Sequence, residues 1–233
     1  MKARFLVCLF VVTASIAWAA GSSAEAPSNH VGQRVFTAGH SFHAWLPPWL
    51  KEVADSAGIQ GHEIVGVSMI GGSKVIQHWD LPDEKNLVKA ALRAGKADVL
   101  TLSPMWKPDD GIEKFAKLAL ENNPNIRVTV QEFWLPYDRL RGYGDLEKSL
   151  RPWADPPPAD PKDLFADSLG HPKPPIQALS AYCHFAIIYH RSPVSLPIPC
   201  RLAGKYPEDL NRLLQELAWD AVTHHPLTGV TAR

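Results

Sequence analysis

Arg34-Val35-Phe36-Thr37-Ala38-Gly39-His40-Ser41-Phe42-His43 runs from a short apolar stretch through a glycine to a serine, and an amphipathic segment follows it. A strand over Arg34 to Ala38, a tight turn and then a helix would expose Ser41 at the carboxyl edge of a parallel sheet, where open α/β folds build their sites. The helix is read over Trp45 to Ala57, because Trp45, Leu46, Trp49, Leu50, Val53, Ala54 and Ala57 mark one apolar face at helical spacing. Pro47 and Pro48 fit only its first turn.

Further along, the same alternation recurs. His62 to Val67, Asp98 to Leu102 and Ile126 to Glu132 read as strands. Ser68 to Ser73 is the loop after the second strand, and a helix over Glu84 to Ala94 stops at Gly95. Asp109 and Asp110 are placed to cap a helix carrying Ile112, Phe115, Ala116, Leu118 and Ala119. In the last strand the polar set Arg127, Thr129 and Gln131 alternates with Val128 and Val130, which permits one wet face. Strands separated by helical crossovers define an α/β class, a three-layer αβα sandwich on a mostly parallel sheet. Two helices close the chain, over Ile176 to Tyr189 and Pro207 to Thr223, joined by the stiff Ser192 to Pro199 connection.

The amino terminus has a different character. Lys2 and Arg4 precede an apolar run from Phe5 to Ala20 that ends in Ala17-Trp18-Ala19, the order of a secretory signal cleaved near Ala19 or Ala20. The expected organisation is a signal over residues 1–19, a flexible lead-in over 20–33 and one domain over 34–225, secreted or periplasmic. The chain has 24 basic and 24 acidic side chains, so loss of Lys2 and Arg4 leaves the mature protein at about minus two. That balance gives no electrostatic reason to expect nucleic acid, and no membrane contact is expected once the signal is gone. Oligomeric state is not legible. Cys183 and Cys200 are the cysteines of the mature chain, readable either as a disulfide or as free thiols.

The chemistry rests on Ser41 meeting Asp167-Ser168-Leu169-Gly170-His171-Pro172. A serine hydroxyl is a poor nucleophile near neutral pH unless a base takes its proton, and His171 with Asp167 to orient it supplies that base. The plain alternative makes Ser41 a helix cap and His171 an exposed loop residue. The amides of Ser41 and Gly72 are the candidate donors to a developing oxyanion. Trp134 and Tyr137, in the aromatic run after the last strand, are read either as contacts for a sugar face or acyl group or as core. His40 with His43 is the one early pair at suggestive spacing, too little for a zinc site, so no metal is expected.

These segments resemble the SGNH hydrolase superfamily, the GDSL-like esterases, and in particular exported SGNH-like proteins of planctomycete-type bacteria. Gly39-His40-Ser41-Phe42 looks like the first block, with His40 where aspartate is usual. Gly72 is similar in placement to the second-block oxyanion glycine, and Asp167 with His171-Pro172 to the last block, one residue longer than the usual Asp-x-x-His. The likeness spans about Arg34 to Pro197. It implies a flavodoxin-like fold and a cofactor-free Ser41, His171, Asp167 site hydrolysing an acyl or acetyl ester, on a small molecule or a carbohydrate, with His40 near the substrate.

Two departures accompany it. Leu102-Ser103-Pro104-Met105-Trp106 stands where the third block carries Gly-x-Asn-Asp, leaving Ser103 as the candidate substitute for a donor worth roughly 3 kcal/mol. The polar, proline-rich 139–166 segment replaces a further βα unit, so the sheet is expected to be one unit short. An inactive ligand-binding protein of the same fold is the alternative reading.

Overall fold

The structure, a computed structural model, describes residues 10–13, 31–105, 108–132, 165–167 and 169–231. Strands β1 (Phe10–Thr13), β2 (Arg34–Gly39), β3 (Glu63–Met69), β4 (Val99–Leu102) and β5 (Arg127–Glu132) form a sheet in the order β1-β5-β4-β2-β3. β2 to β5 are all parallel, and β1 lies antiparallel outside β5. The parallel part has the flavodoxin-like order without its last strand, and Phe10–Thr13 takes that outer position. Those residues belong to the expected leader, so a chain cleaved after Ala19 would present β5 as its edge.

Period-two alternation decides what each face of the sheet meets. Val35 and Val99 point to a core shared with α1 (Leu46–Ser56), α5 (Pro174–Tyr189) and α6 (Glu208–His224). Phe36, Ala38, Leu100, Leu102, Val128 and Val130 point to the opposite core, closed by α2 (Val75–Trp79), α3 (Leu87–Arg93) and α4 (Asp110–Asn122). Three layers result because helices cover both faces of the sheet, one core on each side. α1 begins with its prolines in the first turn, as their fixed φ and missing N–H require. The expected Glu84 to Ala94 helix resolves into a short 3-10 turn at Asp83–Lys85 and α3, with the Asn86 side chain accepting from the Lys89 amide as the new start.

α5 is apolar all round and buried along almost its whole length. It lies over the Thr37, Thr101 and Thr129 row, which pairs in register across β2, β4 and β5. The face of β5 that alternation allowed to be wet is therefore dry, with Thr129 and Gln131 both buried. The Arg127 guanidinium donates to the Ile188 carbonyl at 2.6 Å, satisfying an orphan acceptor at the α5 carboxyl end, where a cation is also favoured by the helix dipole.

Asp109 joins α2 to α4. Its carboxylate accepts from the amides of Val75 and Ile76 and, at 3.0 Å, from Gly111, capping both helices at once. Gly111 is needed for that approach, since a Cβ there would lie 2.2 Å from the Ile76 nitrogen and 2.5 Å from the Val75 carbonyl carbon. Backbone cannot rotate away as a side chain can, so Gly111→Ala is expected to lower stability by about 3 kcal/mol in urea titration. A change under about 0.5 kcal/mol would mean that the two helices are not held this closely.

The domain extends past residue 225. Thr228 donates to the Val222 carbonyl at 2.7 Å, and Val230 is buried against the α5 and α6 core. The cysteines are free, Cys183 buried inside α5 and Cys200 exposed, so the disulfide reading is not realised. Burial pushes the Cys183 thiol up to about 12, which makes it inert. Among the described residues no helix is long and apolar enough to cross a membrane.

Candidate functional site

The order of the parallel strands reverses between β2 and β4, which opens a crevice at their carboxyl ends. β2 delivers Ser41 to that crevice. The chain turns immediately after the strand, with the His40 carbonyl accepting from His43 at 2.9 Å and Ala44 at 3.1 Å. Gly39 is dictated by space, because a Cβ there would meet the Ser103 Cβ at 2.8 Å. Ser41 is left exposed, while Phe42 beside it is buried.

The base comes from a loop pinned at its neck. The Ala166 amide donates to the His171 carbonyl at 2.7 Å, and Phe165 bridges Pro172. Inside this loop Asp167 Oδ1 accepts from the amides of Leu169 at 3.0 Å, Gly170 at 3.1 Å and His171 at 3.2 Å. Its other oxygen, Oδ2, faces His171 Nδ1 at 2.6 Å. Gly170 takes φ 92, a conformation that favours glycine, at the turn of this loop. Partial burial opposes ionisation of Asp167, but the bonds from the His171 ring and amide and the Leu169 amide prevail, so its carboxyl lies below the ordinary range.

His171 Nε2 then reaches Ser41 Oγ at 2.8 Å, across 130 residues of chain. The Phe42 ring packs edge-on against the His171 ring at 4.7 Å, fixing its tilt. Gln177 ties the loop to α1, donating to the Pro172 carbonyl at 2.8 Å while accepting from the Trp49 indole at 2.9 Å. Ser41, His171 and Asp167 thus form a continuous hydrogen-bonded relay.

The loop after β3 lies at the same edge, anchored by the Ile70 amide on the Gly39 carbonyl at 3.1 Å. Gly72 is exposed there at φ 60, a conformation that favours glycine. Among the described residues nothing accepts from the amides of Ser41 or Gly72. A side chain that sequence reasoning overlooked clamps this loop. His78 of α2 bonds Ser68 Oγ and Ser73 Oγ, each at 2.9 Å, and burial lowers its pKa, leaving a neutral ring.

Two expected site residues do not face the crevice. His40 is 2 % exposed, with the Phe42 amide 3.4 Å from Nδ1 and Ser103 Oγ 3.4 Å from Nε2, so it supports the turn from below rather than touching a substrate. Burial pushes its pKa down to about 4. Ser103 is 1 % exposed against that ring, which removes its hydroxyl as the expected third oxyanion donor. The reason is common to both: Gly39 lets β2 and β4 end so close together that these side chains are enclosed. Trp134 and Tyr137 lie outside the described residues.

His43, weighed in the sequence only as half of a metal-ligand pair, lies under the nucleophile turn. His43 is fully buried between Gln131 Oε1, 2.8 Å from Nδ1, and Thr101 Oγ1, 2.9 Å from Nε2. Gln131 Nε2 also donates to the Phe42 carbonyl at 3.2 Å. Burial, with the neighbouring His184 adding to it, holds the His43 pKa well below the ordinary histidine value. The trace of this network in the sequence was the polar alternation Arg127, Thr129, Gln131 in β5, which carried no indication that an apolar helix covers it.

No protein-family model matches this chain, and no curated protein does. Among solved structures, it resembles the crystal structure of a DUF4886 family protein from Bacteroides uniformis, with a TM-score of 0.56 and 12 % identity. That match covers 83 % of this chain and 95 % of the other. At that identity the likeness concerns the fold, a parallel α/β sandwich.

Proposed function

We propose that this protein is an exported serine hydrolase of the SGNH type that cleaves an ester, with an acyl or acetyl group on a carbohydrate as the substrate class suggested by resemblance. The observation that carries the proposal is the relay from Ser41 Oγ through both ring nitrogens of His171 to Asp167, at 2.8 and 2.6 Å. Asp167 accepts a hydrogen bond from Nδ1–H, which keeps the ring proton on that nitrogen and leaves the Nε2 lone pair free to take the proton of Ser41. The serine oxygen attacks the acyl carbon, and the carbonyl oxygen gains negative charge facing the amides of Ser41 and Gly72. His171 returns the proton to the departing alcohol. Water then enters and attacks the acyl carbon while giving a proton to the same nitrogen; the Ser41 Oγ–acyl bond breaks, that proton passes to Ser41 Oγ, and the acid leaves.

Burial of Ser103 at the third-block position favours a second reading, a ligand-binding protein that retains the relay without efficient turnover. One absent donor costs about 3 kcal/mol, a factor of roughly a hundred in rate, so a weakened enzyme remains measurable. The discriminating measurement is p-nitrophenyl acetate turnover by the wild type and by Ser41→Ala. Loss of about a thousandfold in the variant supports the hydrolase reading, and equal rates in the two proteins would discard it.

A further inference from the structure

We propose that His43 and Gln131 are positioning residues for the nucleophile, holding the Phe42-His43 peptide through a buried chain of hydrogen bonds that starts at the Thr101 hydroxyl. This inference rests on the hydrolase reading of Ser41.

The direction of every bond in the chain follows from its last member. The Phe42 carbonyl can only accept, so the Gln131 amide group facing it at 3.2 Å is the NH2 donor. Gln131 Oε1 must then accept, which places the His43 proton on Nδ1, 2.8 Å away. His43 Nε2 is left with a lone pair, and the Thr101 hydroxyl at 2.9 Å donates to it. Ser180 of α5 adds a longer bond to Gln131 Oε1 at 3.5 Å. His43, Gln131, Thr101 and Ser180 are each 0 % exposed, so water does not substitute for a lost partner.

The geography separates this chain from ordinary core packing. Thr101 is on β4, Gln131 on β5 and Ser180 on α5, three elements of the rigid scaffold, and the group they jointly hold is the Phe42-His43 peptide, one residue beyond Ser41. In the threonine row Thr37, Thr101 and Thr129, the hydroxyls of Thr37 and Thr129 have no partner among the described residues. The middle hydroxyl alone is engaged, and it is engaged by His43. Phe42 in turn braces the His171 ring, so displacing its peptide disturbs both partners of the 2.8 Å contact. A shift on the order of 1 Å at a reacting group is enough to cost about a hundredfold in rate.

Thr101→Val keeps shape and strand preference while deleting the donor, Thr101→Ser keeps the donor, and Thr37→Val deletes a hydroxyl that holds nothing. On p-nitrophenyl acetate, Thr101→Val is expected to lower kcat at least tenfold with KM within twofold. Thr101→Ser is expected to stay within threefold of wild type, and Thr37→Val to match it. Imidazole 15N spectra give a readout independent of turnover, with the His171 ring signals moving in Thr101→Val and staying in place in the other two. A folded Thr101→Val protein with wild-type kcat and unmoved His171 signals overturns the proposal. If the wild type shows no Ser41-dependent turnover, the hydrolase reading fails by itself, and the His171 signals alone decide the positioning role. Gln131→Met, which cuts the chain at its next link, is read by the same criteria should Thr101→Val not fold.

Discussion

Removing Ser41 and His171 together is expected to cost no more activity than removing either alone. Attack requires the hydroxyl and its base in the same event, so once one is gone the other has nothing to act with. Ser41→Ala, His171→Ala and the double variant should each lose about a thousandfold or more and coincide within a factor of a few. Asp167→Asn is the most specific variant in this group. Three amides aim at Oδ1 of Asp167, so an amide side chain here would keep its oxygen on them and turn its NH2 toward His171. Nδ1 would then have to accept, the ring proton would move to Nε2, and Ser41 would face an N–H instead of a base. Loss on the order of ten-thousandfold with the fold intact is the expected result. Single variants whose effects multiply in the double would show that the groups act separately and that the relay is not the catalytic unit.

Acid should unfold this protein well before its carboxylates protonate. Burial pushes His40, His62 and His184 each down to about 4, and holds His43 well below the ordinary histidine value. Histidine in the unfolded chain protonates near pH 6.5, so below that value the unfolded state binds protons that the folded state refuses. Stability contributed by these rings is complete above the unfolded pKa and falls as pH drops from about 6.5 toward about 4. At pH 5 each of the three rings held near 4 represents about 2 kcal/mol, and together they are comparable to the whole stability of a small domain. The structural cause is visible at His62 and His184, whose buried Nε2 atoms have no partner among the described residues to receive an added proton. Urea titrations at pH 7, 6 and 5 should show a steep decline, and His184→Leu should flatten it by the share of one group. Constant stability from pH 7 to 5 would mean that these rings are hydrated in solution.

How much of the site was legible depended on whether its parts were local. Asp167 and His171 lie four residues apart, and Gly170 between them signals the turn that lets one carboxylate oxygen collect amides while the other meets the ring. Ser41 after an apolar run and a glycine was equally readable, because a strand followed by an amphipathic segment dictates the turn. His40 was misplaced for lack of a distance: nothing in Gly39-His40-Ser41 tells that β4 ends within contact of β2 and encloses that ring together with Ser103. The two cysteine readings stayed open for the same reason, since a helix that buries Cys183 and a surface turn that exposes Cys200 are both compatible with their spacing.

By itself the sequence determined the layered α/β class, the boundaries of the elements it marked to within a few residues though not α2 or β1, and the three groups able to form a serine relay. Periodicity and turn chemistry are local properties, and they survive without knowledge of the rest of the chain. Tertiary structure alone decided that the strands run β3-β2-β4-β5, that α5 dries the polar face of β5, and that His43, Gln131 and Thr101 meet beneath Ser41. Those outcomes depend on which apolar face covers which polar one, a choice made by the total area buried across the sheet and written in no single segment.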